Sequence, residues 1–203
     1  MKRYTPIQAA VMGLLAMLAP SGGRAVTHDV AFPYRMGAGF PGDINRSHPF
    51  SAVPGLNNSS VQAIRYYGDA VFVNAADSTI RGAVAADNNA SATAIYGVCV
   101  RPYPIQQQSQ TSVNNSPIGA AAVPSTAIVD TLRLGFIMVK LPAGTTVAKG
   151  GAAYVWCAAN SGNNVQGQFV GSATGGSTML VANAKFNGPA DASGNVELEV
   201  WPA

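Results

Sequence analysis

At 203 residues and 20.8 kDa the chain is long enough for one sizeable core and too short for more than two small domains. It is 48% hydrophobic but only 10% charged, against about 25% charged in ordinary soluble domains. The formal net charge is +3, and no Lys/Arg cluster interleaves with aromatics, which excludes direct reading of nucleic acid as the expected role. Turns are frequent, with 22 glycines and 13 prolines, and Asn, Ser and Thr stand where Lys and Glu would normally cover a surface. Such a chain suits life against other protein surfaces, or outside the cell.

The first residues, MKRYTPIQAAVMGLLAMLAPSGGRAV, carry two readings. Lys2 and Arg3, the apolar run Ala9 to Ala19 and the small residues of Gly23-Arg24-Ala25 have the form of a cleaved export signal. The run is shorter than the roughly 20 apolar residues that cross a bilayer, so no membrane span is expected. Thr5 as N-cap, Pro6 at the first helical position and the stripe Ile7, Val11, Leu14 and Leu18 describe a short amphipathic helix instead, ended by Pro20 and Ser21-Gly22-Gly23. Residues 26 to 60, rich in Gly, Pro and Asn without sustained periodicity, read as an extended arm. Five of the twelve basic residues (Lys2, Arg3, Arg24, Arg35 and Arg46) fall in the first quarter, opposed only by Asp29 and Asp43.

Beyond residue 60 the chain breaks into short β-branched segments between turn residues. Strands are predicted at Val61–Tyr67, Ala70–Asn74, Thr79–Val84, Ala94–Arg101, Leu132–Lys140, Ala152–Cys157, Val165–Val170, Thr178–Lys185 and Asn195–Trp201. Alternation is clearest at the end, where Val196, Leu198 and Val200 face one way and Glu197, Glu199 and Trp201 the other. The pattern predicts an all-β domain, a jelly-roll-like sandwich or barrel over 61–203, with Val98, Val100, Phe136, Met138, Val155 and Leu198 in its core. Residues 102 to 131, with Asp130 as their one charge, read as a long loop.

A search for chemistry finds little. His28 and His48 both lie in the arm, and Ser47 beside His48 does not make a nucleophile and base. Glu197 and Glu199 would share a strand face about 7 Å apart by strand rise, a spacing glycosidases use, but a solvated or interface face explains them better. Asp191-Ala-Ser-Gly-Asn195 lacks the alternating acids of a calcium loop and reads as a hairpin turn. Cys99 and Cys157 have no neighbouring His and sit in apolar strands, so two buried free thiols are expected; export would instead allow a disulfide. No enzyme activity, metal or cofactor is expected.

Four stretches, in order, resemble the head cement (decoration) proteins of tailed bacteriophages: Gly39-Phe-Pro-Gly-Asp-Ile-Asn-Arg46, Ile95-Tyr-Gly-Val-Cys-Val-Arg-Pro-Tyr-Pro104, Leu141-Pro-Ala-Gly-Thr-Thr-Val-Ala-Lys-Gly-Gly151 leading into Tyr154-Val-Trp156, and Pro189-Ala-Asp-Ala-Ser-Gly-Asn-Val-Glu-Leu-Glu-Val200. The resemblance covers roughly residues 37 to 201. It implies a non-enzymatic virion component, assembled in the host cytoplasm, with a jelly-roll-like β-domain on the outer capsid surface over contacts between major capsid protein subunits. The expected partners are the major capsid protein and further copies of the chain (a homodimer, alternatively a trimer), with no direct nucleic acid and no membrane. Under that implication the opening residues are a retained arm helix, or precede the true start of the product, within a front some 35 residues longer than usual in the family. The expected capsid contacts are Ile7, Val11, Leu14, Leu18, Arg35, Phe40, Pro41, Asp43 and Arg46. The alternative is an exported bacterial β-sandwich with a cleaved signal, serving adhesion or carbohydrate binding.

Overall fold

The structure, a computed structural model, describes residues 39–46, 48–57, 61–88, 91–102 and 122–202. They form nine strands: β1 Ser51–Leu56, β2 Ala70–Val73, β3 Ile80–Arg81, β4 Gly97–Cys99, β5 Ile128–Lys140, β6 Ala152–Trp156, β7 Phe169–Val170, β8 Thr178–Phe186 and β9 Asn195–Val200. The helical element among the described residues is a single 3-10 turn, Ala85–Asp87. The expected all-β fold is borne out: the strands make one curled antiparallel sheet in the order β3-β2-β4-β5-β9-β8-β6-β7, with β1 added on β5.

The 13-residue β5 organises the sheet because it is paired along both edges. In its first half Leu132 pairs with Ala52 of β1 and with Val98 of β4. In its second half Ile137 pairs with Leu198 of β9 and bridges to Ile44. Asn57, just past β1, bridges in parallel to Ile80 of β3, so this half of the sheet curls round upon itself. The approach is close: a Cβ on Gly55 would lie 2.9 Å from Ile80 Cγ2. Pro54 is tolerated within β1 because, among the described residues, that strand pairs only with β5.

Two apolar clusters result. The larger gathers β5, β6, β8 and β9 around Leu132, Ile137, Val155, Phe169, Met179, Phe186 and Leu198; the smaller holds Ile64, Tyr67, Val71, Ile80, Cys99, Val123 and Val129. Each half contains a buried asparagine that satisfies stray backbone groups. Asn57 accepts from Ile64 N–H at 2.9 Å and donates to Pro124 O at 3.0 Å and Ile64 O at 3.3 Å. Asn183 accepts from Ile95 N–H at 3.0 Å and donates to Ile95 O at 3.0 Å and Trp201 O at 2.9 Å, tying β8 to the approach of β4 and to the end of β9. Irregular backbone can be buried there because these amides complete its hydrogen bonds.

Several expectations change. Ser51–Leu56, read as arm, is a strand, and Gly39–Arg46 lies against β5, so the sheet begins well before residue 61. Val61–Tyr67 is not a strand; its Tyr66 makes an isolated bridge to Ala122. β5 starts at Ile128, inside the predicted 102–131 loop, of which residues 103–121 lie outside the described residues. Val98, Val100, Met138, Val155 and Leu198 are buried as expected, Met138 beneath Gly39–Arg46 rather than in either cluster, whereas Phe136 is half-buried. The reason is a change of face within β5. Leu132 and Ile137 join the same cluster although five residues apart, an odd step that simple alternation forbids. Between them Gly135 adopts φ 136°, and a Cβ there would lie 2.9 Å from Pro49 O. A residue able to reach that conformation turns the strand over.

Candidate functional site

The first expected contact motif is a built turn. Asp43 Oδ2 accepts from Phe40 N–H and Phe40 O accepts from Asp43 N–H, both at 3.0 Å, closing the turn over Pro41-Gly42. Gly42 has φ 89°, and a Cβ on it would come within 2.7 Å of Tyr67 Cβ and 3.0 Å of Arg101 N. Only glycine meets both demands. The segment then runs along β5: Gly42 N–H donates to Met138 O at 2.7 Å, Met138 N–H to Asp43 O at 2.9 Å and Asn45 N–H to Phe136 O at 3.1 Å. It covers the otherwise outward-facing side chain of Met138, whose Sδ receives a 2.8 Å hydrogen bond from Asn45 Nδ2.

Arg46 seals the far end. Its guanidinium lies 4.1 Å from the centre of the Phe136 ring and donates to both carboxylate oxygens of Glu197, at 3.2 Å and 2.7 Å. Asn187 and Asn45 also donate to Glu197. Burial pushes the Glu197 carboxyl up, but the hydrogen bonds from Arg46, Asn187 and Asn45 outweigh it and hold the group below the usual carboxylate range. Glu199, two residues on, is exposed. At the near end the largely buried Arg101 approaches Asp43 at 3.9 Å and lies 4.8 Å from the centre of the Phe40 ring, which remains 50% exposed.

Four of the nine expected contact residues (Phe40, Pro41, Asp43 and Arg46) are thus brought together on one strap across β5 and β9. Ile7, Val11, Leu14, Leu18 and Arg35 lie outside the described residues. Asn45, Asn187 and Glu197, which lock the strap, were not legible as partners, since they stand up to 152 residues apart. Phe40 and Pro41 also line a cavity of about 650 Å³ with Tyr66, Asp69, Leu141 and Val165 among its walls.

Other candidate residues take structural places. The Asp191–Asn195 segment is the expected hairpin turn, with Asp191 Oδ1 accepting from Ser193 N–H at 2.9 Å and Asn195 N–H at 2.8 Å. Cys99 and Cys157 are buried free thiols in different clusters, and burial drives both up, Cys157 to about 11. Among the described residues no group of three His, Cys, Asp or Glu could hold a metal ion.

The described residues thus form an all-β body with an internally locked strap and an exposed aromatic side chain at its turn. The family model described as XM1 gp53 minor capsid protein matches residues 30–200, and the chain belongs to that family of phage capsid components. A phage-head structural role, with a place in the virion among other capsid components, goes with that membership. No curated protein matches the chain. Among solved structures it is similar to a chain of "The capsid of Myoviridae Phage XM1", with a TM-score of 0.54 and 14% identity over 82% of this chain and 92% of that one. At that identity the likeness is one of fold.

Proposed function

We propose that the chain is a cement (decoration) protein that binds the outside of a phage head and stabilises contacts between major capsid protein subunits. The family match over residues 30–200 carries this reading. The low charge supports it, because a weakly charged footprint costs little to desolvate. In this account the residues ahead of the strap supply much of the attachment, with the stripe Ile7, Val11, Leu14 and Leu18 buried on a capsid subunit or a second copy and Arg35 paired with an acidic group there. At about 25 cal/mol per Å², a few hundred Å² of apolar contact contributes several kcal/mol before ordering costs.

The strap refines the proposed contacts. Arg46 and Asp43 are engaged within the chain, by Glu197 and Arg101, so their part is to hold the turn that presents Phe40 and Pro41 to a neighbour. Repetition over the shell then turns modest single contacts into strong retention. Assembly in the host cytoplasm and self-association as a homodimer or trimer belong to the same proposal.

The test is a chain beginning at Gly39. Cutting later would remove the cover of Met138 and confuse folding with binding. The shortened chain is expected to stay folded yet sediment with undecorated shells far more weakly than the full chain. Undiminished co-sedimentation would overturn the role given to the preceding residues, and failure of the full chain to bind shells at all would overturn the cement reading.

A further inference from the structure

The cavity beside the strap carries chemistry that the attachment reading does not use. Its volume is about 650 Å³, and its walls are largely apolar or aromatic, with Phe40, Tyr66, Leu141 and Val165 among them. One acidic side chain lines it: Asp69, only 7% exposed. The backbone sets that carboxyl in place. Tyr66 N–H donates to Asp69 Oδ2 at 3.2 Å, Asp69 N–H donates to Tyr66 O at 3.3 Å and Cys99 N–H donates to Asp69 O at 3.0 Å. Packing at Gly167 closes one side, where a Cβ would lie 3.4 Å from Asp69 Oδ2.

We propose that this cavity is a socket for a lysine or arginine side chain presented by a neighbouring protein chain, with Asp69 as its counter-ion and the aromatic walls flanking its aliphatic stem. Charge complementarity selects the occupant: a carboxyl this deeply buried is favoured in its ionised form only beside a cation, and a long basic side chain combines an apolar stem with a charged tip. The fold already uses this pairing repeatedly. Among the described residues Arg46, Arg81, Arg101 and Arg133 each stack on a ring, of Phe136, Phe72, Phe40 and Tyr96. The proposal stands apart from the attachment reading and does not depend on residues before Gly39.

The empty socket and the filled one differ in protonation. Burial raises the Asp69 carboxyl to about 8, with the Tyr66 N–H and the exposed Arg65 opposing. Lys140, Tyr66 and Tyr67 also line the cavity, and the Asp69 charge adds to the burial that holds the Cys99 thiol protonated. A guest cation therefore binds with loss of the carboxyl proton, and its affinity must rise with pH up to about 8.

The experiment titrates the full chain, by calorimetry and by NMR, with N-acetyl-lysine methylamide, N-acetyl-arginine methylamide and the uncharged N-acetyl-norleucine methylamide. The cationic probes are expected to saturate below about 10 mM and to bind at least about tenfold more tightly than norleucine. Between pH 8 and pH 6 their affinity should fall at least about tenfold, following the ionised fraction. Asp69→Asn should weaken them at least about tenfold and abolish the pH dependence. Should that variant fail to fold, Tyr66→Ala, which removes an exposed ring, is expected to weaken the lysine probe about fivefold. Equal binding of norleucine, absence of saturation by either cation, or unchanged affinity in the folded variants would overturn the proposal.

Discussion

Asn183→Ala tests whether the two halves of the fold are held together by buried polar groups or by apolar packing alone. Removing the amide strands three backbone groups: Ile95 N–H, Ile95 O and Trp201 O, bonded at 3.0, 3.0 and 2.9 Å in the native chain. Each such group costs about 1–3 kcal/mol when left unmade in the interior. Water entering the vacated space and the partial exposure near Trp201 place the sum toward the low end, at about 3–5 kcal/mol. For a domain of this size that is a Tm lower by roughly 10 °C. Asn183→Asp separates polar loss from cavity formation, because it keeps the shape but directs a carboxylate at two carbonyl oxygens. It should cost at least as much as alanine at neutral pH. Urea unfolding followed by Trp fluorescence and far-UV circular dichroism measures both. An Asn183→Asp protein within about 1 kcal/mol of the native chain would refute the reasoning.

Four further outcomes are expected. Leu198→Asp places an unpaired charge in the larger cluster and should leave no soluble folded chain; a folded product would reject the β9 register. Gly42→Ala should free the strap, since its Cβ collides with Tyr67, and greatly increase oxidation of Met138 by peroxide, read by peptide mass; unchanged protection would show that the strap does not need that turn. Native protein should hide both thiols from a thiol reagent and release two per chain on denaturation without reductant, while fewer than two would show that the cysteines are not free. Stability should respond to pH with two opposite signs. Glu197, held low when folded, contributes above its unfolded pKa and its contribution is lost as pH falls through the folded value; Asp69, raised from 3.8 to about 8, contributes fully below 3.8 and less as pH climbs to 8. Glu197→Gln should therefore flatten the acid limb and Asp69→Asn the limb above it, and the reverse assignment would reject both environments.

What the sequence by itself determined is local. Alternation named Val196, Leu198 and Val200 as the inward face of β9, and β-branched runs located β2, β6 and β8 to within a residue or two, because side-chain period and burial coincide there. The Asp191–Asn195 segment was legible as a hairpin turn because its hydrogen bonds close within four residues, whereas Gly39–Arg46 stood out only through its resemblance and takes its place by bonds to β5 and β9. Everything that depends on distant pairing had to wait for the fold. The strand Ser51–Leu56 carries Pro54 and Gly55, poor strand formers that are acceptable only on an edge and against Ile80. The face change at Gly135 overrides alternation, so Met138 is buried beneath the strap rather than in the larger cluster. Arg46 and Glu197 find each other only because β5 brings the start and the end of the chain side by side. Asp69, one carboxylate among nine in the sequence, becomes chemically distinct only when Tyr66, Gly167 and the β5 end enclose it. A pKa or a pocket is a property of desolvation, and desolvation is set by neighbours that the linear order does not reveal.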